Sequence, residues 1–335
     1  GVWFKGSGNP IHQLGENVST SVGSLTAGYT SNTDAELSVI TDGTAHIFAK
    51  IVDNGTGKVT LVKSGFEDLL LYGVSTYTGG TIVTQGRVNQ QNANSFGANE
   101  ASNFIKVLAG GHVFFNFSTV NNDLYLAGNG WGESAVPGSV RLSGTNLTGG
   151  ITLTAHATVG THGGGGISNN HIRGKITGEY QLGFTAGGTT AATSGGVFNV
   201  YHTANDYKGG LTLNGIEGHN GAVSDRVVTV KNGATEVIPH GLGYGDVLIQ
   251  GGATSLSTLD LNGFHETING LSSGVNAGNT VVTNGNASST SLSELKVGAH
   301  HGFASFSGLL RDGSSGAKLA LTKIGAGTQE LGGAN

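Results

Sequence analysis

The sequence predicts an all-β fold, a parallel β-helix (solenoid) with protruding loops, on three observations. A Gly-Gly phrase recurs at Gly73 (GVSTYTGGTIVTQG), Gly144 (GTNLTGGITLTAH) and Thr203 (TANDYKGGLTLNGI). Apolar residues alternate with small polar ones over short runs, which is the pattern of strands with one buried side. Tight-turn dipeptides punctuate those runs. A phrase that recurs without a fixed reactive residue marks a structural repeat. Its corners, Gly79-Gly80, Gly149-Gly150 and Gly209-Gly210, are therefore expected to turn the backbone between strands, with any chemistry on the outside.

The elements follow in chain order. Val59, Leu61 and Val62 make one alternating run, followed by Ile151 with Leu153 and Leu211 with Leu213. Val227, Val228 and Val230 follow, then Leu259 with Leu261 and Leu319 with Leu321. Asn54-Gly55, Asn129-Gly130, Asn214-Gly215, Asn232-Gly233, Asn262-Gly263, Asn269-Gly270 and Asn284-Gly285 read as turns, because Asn and Gly tolerate positive φ. Segment 88–101 (VNQQNANSFGANEA) reads as a short helix or an extended surface loop, and the tetraglycine run 163–166 as a protruding loop. No segment separates two domains, so 1–335 reads as one β-helix. Rungs of roughly 20–25 residues would make about fifteen turns and a rod of roughly 70 Å at the strand spacing.

Composition narrows the class. Of 335 residues, 61 are Gly and 11% are charged, while Cys and Met are absent. Gly at this level often signals disorder, but disordered chains lack regular apolar periodicity and usually carry high charge, so a core is expected here. The net charge of −5 is dispersed, and no Lys/Arg run could neutralise a phosphate backbone, so nucleic acid is not an expected partner. No apolar stretch approaches the ~20 residues of a membrane helix. The chain begins at Gly1 without Met, which reads as a processed chain or a fragment whose export signal is already gone. Lack of Cys suits export of an unfolded chain and excludes disulfides and thiolate sites.

A longer period joins FAKIVDNGTGKVTLVKSG, from Phe48, to FSGLLRDGSSGAKLALTKIG, from Phe306, so that Lys63 matches Lys323 and Leu71 matches Leu331. The stretches LALTKIGAGTQELGGAN, STYTGGTIVTQGRV and STLDLNGFHETINGLSSG resemble the autotransporter-associated β-strand repeat of large bacterial surface proteins. The resemblance covers about half of the chain and implies a right-handed parallel β-helical passenger region displayed outside the cell. It carries no catalytic residues across. The chain departs from a full member in showing no C-terminal membrane barrel.

Candidate chemistry is thin. Gly270-Leu271-Ser272-Ser273-Gly274 matches G-x-S-x-G, but that nucleophile elbow needs a following helix, so a turn is expected. His300 and His301, placed on a strand, would face opposite ways. His156, His162 and His171 flank the tetraglycine run without zinc-site spacing. Gly241 to Asp246 imitates a calcium-binding β-roll once, with the Asp out of register. Gly57-Lys58 and Gly174-Lys175 lack the Ser/Thr and the helix of a P-loop. Glu67 and Asp68 should diverge, whereas Asp206, Glu217 and Asp225 could share one face. Trp3, Phe4, Trp131, Tyr180, Tyr201, Tyr207 and Tyr244 read as core or cap residues before sugar platforms, and Phe114, Phe115 and Phe117 cannot all point inward.

The expected function is a non-enzymatic extracellular structural or adhesive module of a bacterial surface protein or filament. It needs no cofactor or metal and does not insert into a membrane. Its expected partners are copies of itself, stacked end to end or laterally, and glycans or host surfaces. The alternative is a carbohydrate-active β-helix enzyme, a polysaccharide lyase or glycosidase. Carboxylates clustered on one face beside Lys or Arg would favour that alternative.

Overall fold

In the computed structural model, residues 1–5, 12–15, 23–117, 119–131, 138–162, 167–187, 195–215 and 227–333 are described. They form a parallel β-solenoid of about 11 turns with about 1% helix. Every pairing between strands is parallel, and partners lie on successive turns. One face runs from Val2–Phe4 through Ala35–Thr41, Val59–Ser64, Thr81–Val83, Ile105–Val107 and Leu124–Gly128 to Ile151–His162. A second runs from His12–Leu14 to Leu271–Ser273, and a third from Thr119–Val120 to Leu309–Arg311. The twelve-residue strand Ile151–His162 bends across the first two faces and pairs on both.

The coil has fewer and longer turns than the 20–25-residue spacing implies, because loops of unequal length interrupt it. Ile105 stacks on Leu124 only 19 residues on, whereas Leu211 stacks on Val247 after 36. Eleven turns give roughly 50 Å of stacked strands rather than 70 Å. Register, not turn length, is what repeats.

That register builds the core. Ala45, Leu69, Val88, Val113, Val140, Val159, Phe184, Leu213 and Ile249 lie one above another on nine consecutive turns. All nine are buried. Alternation places each inward, and in-register pairing turns the separate alternations into one apolar column. Burying each Val, Leu or Phe contributes about 1.5–3 kcal/mol. Phe115 points inward and packs on Phe96, with ring centroids 5.5 Å apart, while Phe114 points outward beneath the Arg141 guanidinium.

Segment 88–101 holds no helix; beyond Gln90 it is a loop of turns with Ala93, Asn94, Glu100 and Ala101 exposed. Strand Gly86–Gln90 runs into it, and turns then fold Ser95, Phe96 and Gly97 into the interior. The tetraglycine run lies outside the described residues.

The Gly-Gly corners have a common cause in their first member. A Cβ on Gly79 would lie 2.5 Å from the Val59 carbonyl. One on Gly149 would lie 2.1 Å from the Asn122 oxygen, and one on Gly209 2.1 Å from the Gln181 nitrogen. At these corners one turn rests directly on the backbone of its neighbour. The second glycine differs: Gly80 and Gly210 take positive φ (85° and 84°), whereas Gly150 does not.

Gly79→Ala, Gly149→Ala and Gly209→Ala should each lower stability in urea denaturation by about 1–3 kcal/mol, the cost of forced overpacking. Gly278→Ala, where a Cβ meets nothing within 4 Å, should stay within about 0.5 kcal/mol of the parent. Equal effects at all four positions would contradict the close-approach account.

Candidate functional site

The buried polar groups of the stack form the first candidate. Strand Glu266–Ile268 turns the Glu266 side chain inward beneath the loop that follows Asn232. Glu266 Oε2 accepts hydrogen bonds from Asn232 Nδ2 (2.6 Å) and the Val237 N–H (3.0 Å), and Oε1 accepts from the Ile238 N–H (3.1 Å). The neighbouring Glu236, at a left-handed φ of 57°, accepts from both the Thr267 N–H and its hydroxyl at 2.9 Å. His240 Nδ1 lies 3.6 Å from Glu236 and 3.2 Å from the Ile238 carbonyl.

Glu236, His240 and Glu266 bring ligand-type atoms within 4.8 Å of one another, the one such group of three among the described residues. The sequence reading missed it, since Glu236-x-x-x-His240 is a weak signal and Glu266 lies a turn away. The carboxylate oxygens are already occupied by N–H and O–H donors from two turns, so the group acts as a clasp that closes the loop onto the stack. Burial pushes the Glu266 carboxyl up to about 8, against the pull of the Val237 and Ile238 N–H groups. Asn232 Oδ1 is buried and has no partner among the described residues. A flip of the Asn232 amide turns that oxygen toward the Glu266 proton.

A second buried ionisable group sits at a corner. Lys63 is fully buried, and its Nζ donates to the carbonyls of Ser64 (3.0 Å), Gly65 (2.7 Å) and, one turn on, Gln85 (2.9 Å). Three acceptors match the three N–H bonds of an ammonium. Burial lowers the Lys63 pKa to about 7, opposed by Asp68 and Glu67. Lys323, its counterpart in the long repeat, donates to the Ile324 and Gly325 carbonyls in the same way. It meets no third carbonyl among the described residues. Among the described residues, strand Lys318–Lys323 pairs on one side only, with Leu292–Val297. Leu321 and Leu331 are 36% and 46% exposed where the matching Leu61 and Leu71 are buried.

The third candidate is a charged stripe on the outside of successive turns. Lys175 pairs with Asp206 (2.6 Å), Lys208 with Glu179 (2.6 Å) and His300 with Asp246 (3.1 Å). This brings Lys and His side chains beside carboxylates, with Asp206 among them; Glu217 and Asp225 lie outside the described residues. Partial burial would raise the Asp206 pKa, but hydrogen bonds from Lys175 and Thr177 outweigh it and hold the carboxyl low. A general acid needs the opposite shift.

The remaining sequence candidates separate. The G-x-S-x-G pentad is not a turn: Leu271–Ser273 is a strand in the stack, on Val247–Gln250. His300 and His301 lie in a turn rather than on a strand, with His301 at φ 62°. His156 Nδ1 accepts from the Gln181 N–H, and His171 bonds the Tyr201 hydroxyl, so the two serve different corners. The side chain of His162 lies outside the described residues. In the β-roll mimic, Asn269 closes the loop by accepting from the Gly241 N–H and donating to the Tyr244 carbonyl. Asp68 pairs with Arg87. Phe4 and Tyr207 are core residues, Trp3 and Tyr180 are exposed, and Arg173 lies over Tyr201.

These features define a protein of the parallel β-solenoid class. No family model, curated protein or solved structure matches the chain.

Between about pH 4.5 and 8 the folded state holds a Glu266 proton that the unfolded chain has released. That contribution to stability is complete below about 4.5 and is lost as pH rises through about 8. Relative to Glu266→Gln, the parent should therefore lose stability from pH 5 to 9 in denaturant titrations; parallel profiles would contradict the assignment. Lys63→Met, which leaves three carbonyls without their donor, should cost about 1–3 kcal/mol. Lys323→Met should change stability by no more than about 0.5 kcal/mol.

Proposed function

We propose that the chain is a non-enzymatic structural or adhesive module of the autotransporter-repeat kind, displayed on a bacterial surface or in an extracellular filament. Its action is mechanical. In-register turns make a stiff rod, and the outer faces and loops offer contact surfaces to glycans or host surfaces. Low charge, the lack of Cys and the repeat phrases support the extracellular placement.

The observation that supports the self-stacking part is that the turns pair in parallel register and that the corner device of Lys63 recurs at Lys323. A turn built this way can add to the strand Lys318–Lys323 whether it comes from the same chain or from another, and in this reading copies of the chain add end to end. The carbohydrate-active alternative calls for an exposed carboxylate with a raised pKa. The stripe instead ties its carboxylates to Lys and His, and the raised carboxyl, Glu266, is buried.

Sedimentation velocity with negative-stain electron microscopy tests the reading. The 335-residue chain should form end-to-end species that grow with concentration, and Leu321→Asp combined with Leu331→Lys should return it to single rods. Single rods at every concentration would overturn self-stacking. Release of reducing ends from a polysaccharide panel would overturn the non-enzymatic assignment.

A further inference from the structure

The outward side of the first face carries a groove that the mechanical reading does not use. On Thr81–Val83, Ile105–Val107 and Leu124–Gly128, the outward residues Ile82, Lys106 and Tyr125 stand in register on three successive turns. Phe104 flanks them. Its ring meets Tyr125 edge to face, with centroids 6.0 Å apart and planes at 88°. The four side chains line a cavity of about 280 Å³, just under the roughly 300–1,000 Å³ of sites for drug-sized ligands. The corner glycine Gly80 belongs to the arrangement, because a Cβ there would come within 2.7 Å of the Phe104 ring.

Two features identify the occupant. Phe104 and Tyr125 turn aromatic surface toward the cavity in two directions, and the electron-rich face of an aromatic ring suits the C–H face of a sugar. The second feature is Lys106. Lys175, Lys208, Lys231, Lys296 and Lys318 pair with carboxylates, and Lys63 and Lys323 bond carbonyls. Lys5 lies over the Trp3 ring. Lys106 is half-buried and has no hydrogen-bond or ion-pair partner among the described residues; Lys50 and Lys58 also show none but are exposed. A half-buried ammonium between apolar walls, with no counter-charge of its own, is complementary to an anion.

We propose that the groove formed by Ile82, Phe104, Lys106 and Tyr125 binds a sugar ring bearing an acidic group, stacked on the aromatic walls with its carboxylate or sulfate at Lys106. The site is independent of end-to-end stacking. Isothermal titration calorimetry of the 335-residue chain tests it with tetragalacturonate, a heparin tetrasaccharide and, as the neutral reference, maltotetraose. One or both anionic probes should bind at least about tenfold more tightly than maltotetraose, and the two arms separate carboxylate from sulfate. That preference should vanish in Lys106→Gln and persist in Lys106→Arg, while Tyr125→Ala weakens all saccharide binding. Lys106→Gln decides the matter, since its side chain has no partner to lose and the fold, checked by circular dichroism, should be retained. No binding of either anionic probe, a preference that survives Lys106→Gln, or binding that survives Tyr125→Ala would overturn the proposal.

Discussion

Backbone-to-backbone stacking in register is the constraint on which the rest depends. Each turn hydrogen-bonds to the next residue for residue, so whatever stands inward on one turn lies against its counterpart on the next. The column from Ala45 to Ile249 stays aliphatic or aromatic for nine turns because any polar member would be held inside the stack without water. The same closeness explains Gly79, Gly149 and Gly209, where a side chain would strike the neighbouring turn.

Several of the polar groups that enter the interior are tied to a neighbouring turn. Lys63 reaches forward to Gln85, Asn103 accepts from the Gly80 N–H, and Glu266 holds Val237 and Ile238. These side chains close corners and loops where the strand ladder is interrupted. Burial is what displaces the Glu266 and Lys63 pKa values. On the outer faces the side chains of successive turns stand side by side and build surfaces no single strand could present.

Much of the architecture was legible because alternation and repetition act locally. Period-two runs mark inward residues, and the repeated Gly-Gly phrase marks corners. The number of turns was not legible, since insertions stretch the spacing from 19 to 36 residues while the strands stay in register apart from one shift between Leu126 and Gly128. Ser272 reads as a turn residue from its glycine neighbours, yet pairing with Leu248 makes it part of a strand. Phe96 lies in a polar stretch that reads as surface, and only the approach of Phe115 draws it inside.

The sequence by itself determined the strand class, the aliphatic inward positions and the close corners, because each follows from a residue and its near neighbours. Only the tertiary structure decided that Glu236, His240 and Glu266 meet, and that Ile82, Lys106 and Tyr125 share one groove. It also decided that Lys63 finds a third carbonyl while Lys323 finds two. Those relations join residues about twenty to thirty positions apart, and their spacing is set by loop lengths that carry no period of their own.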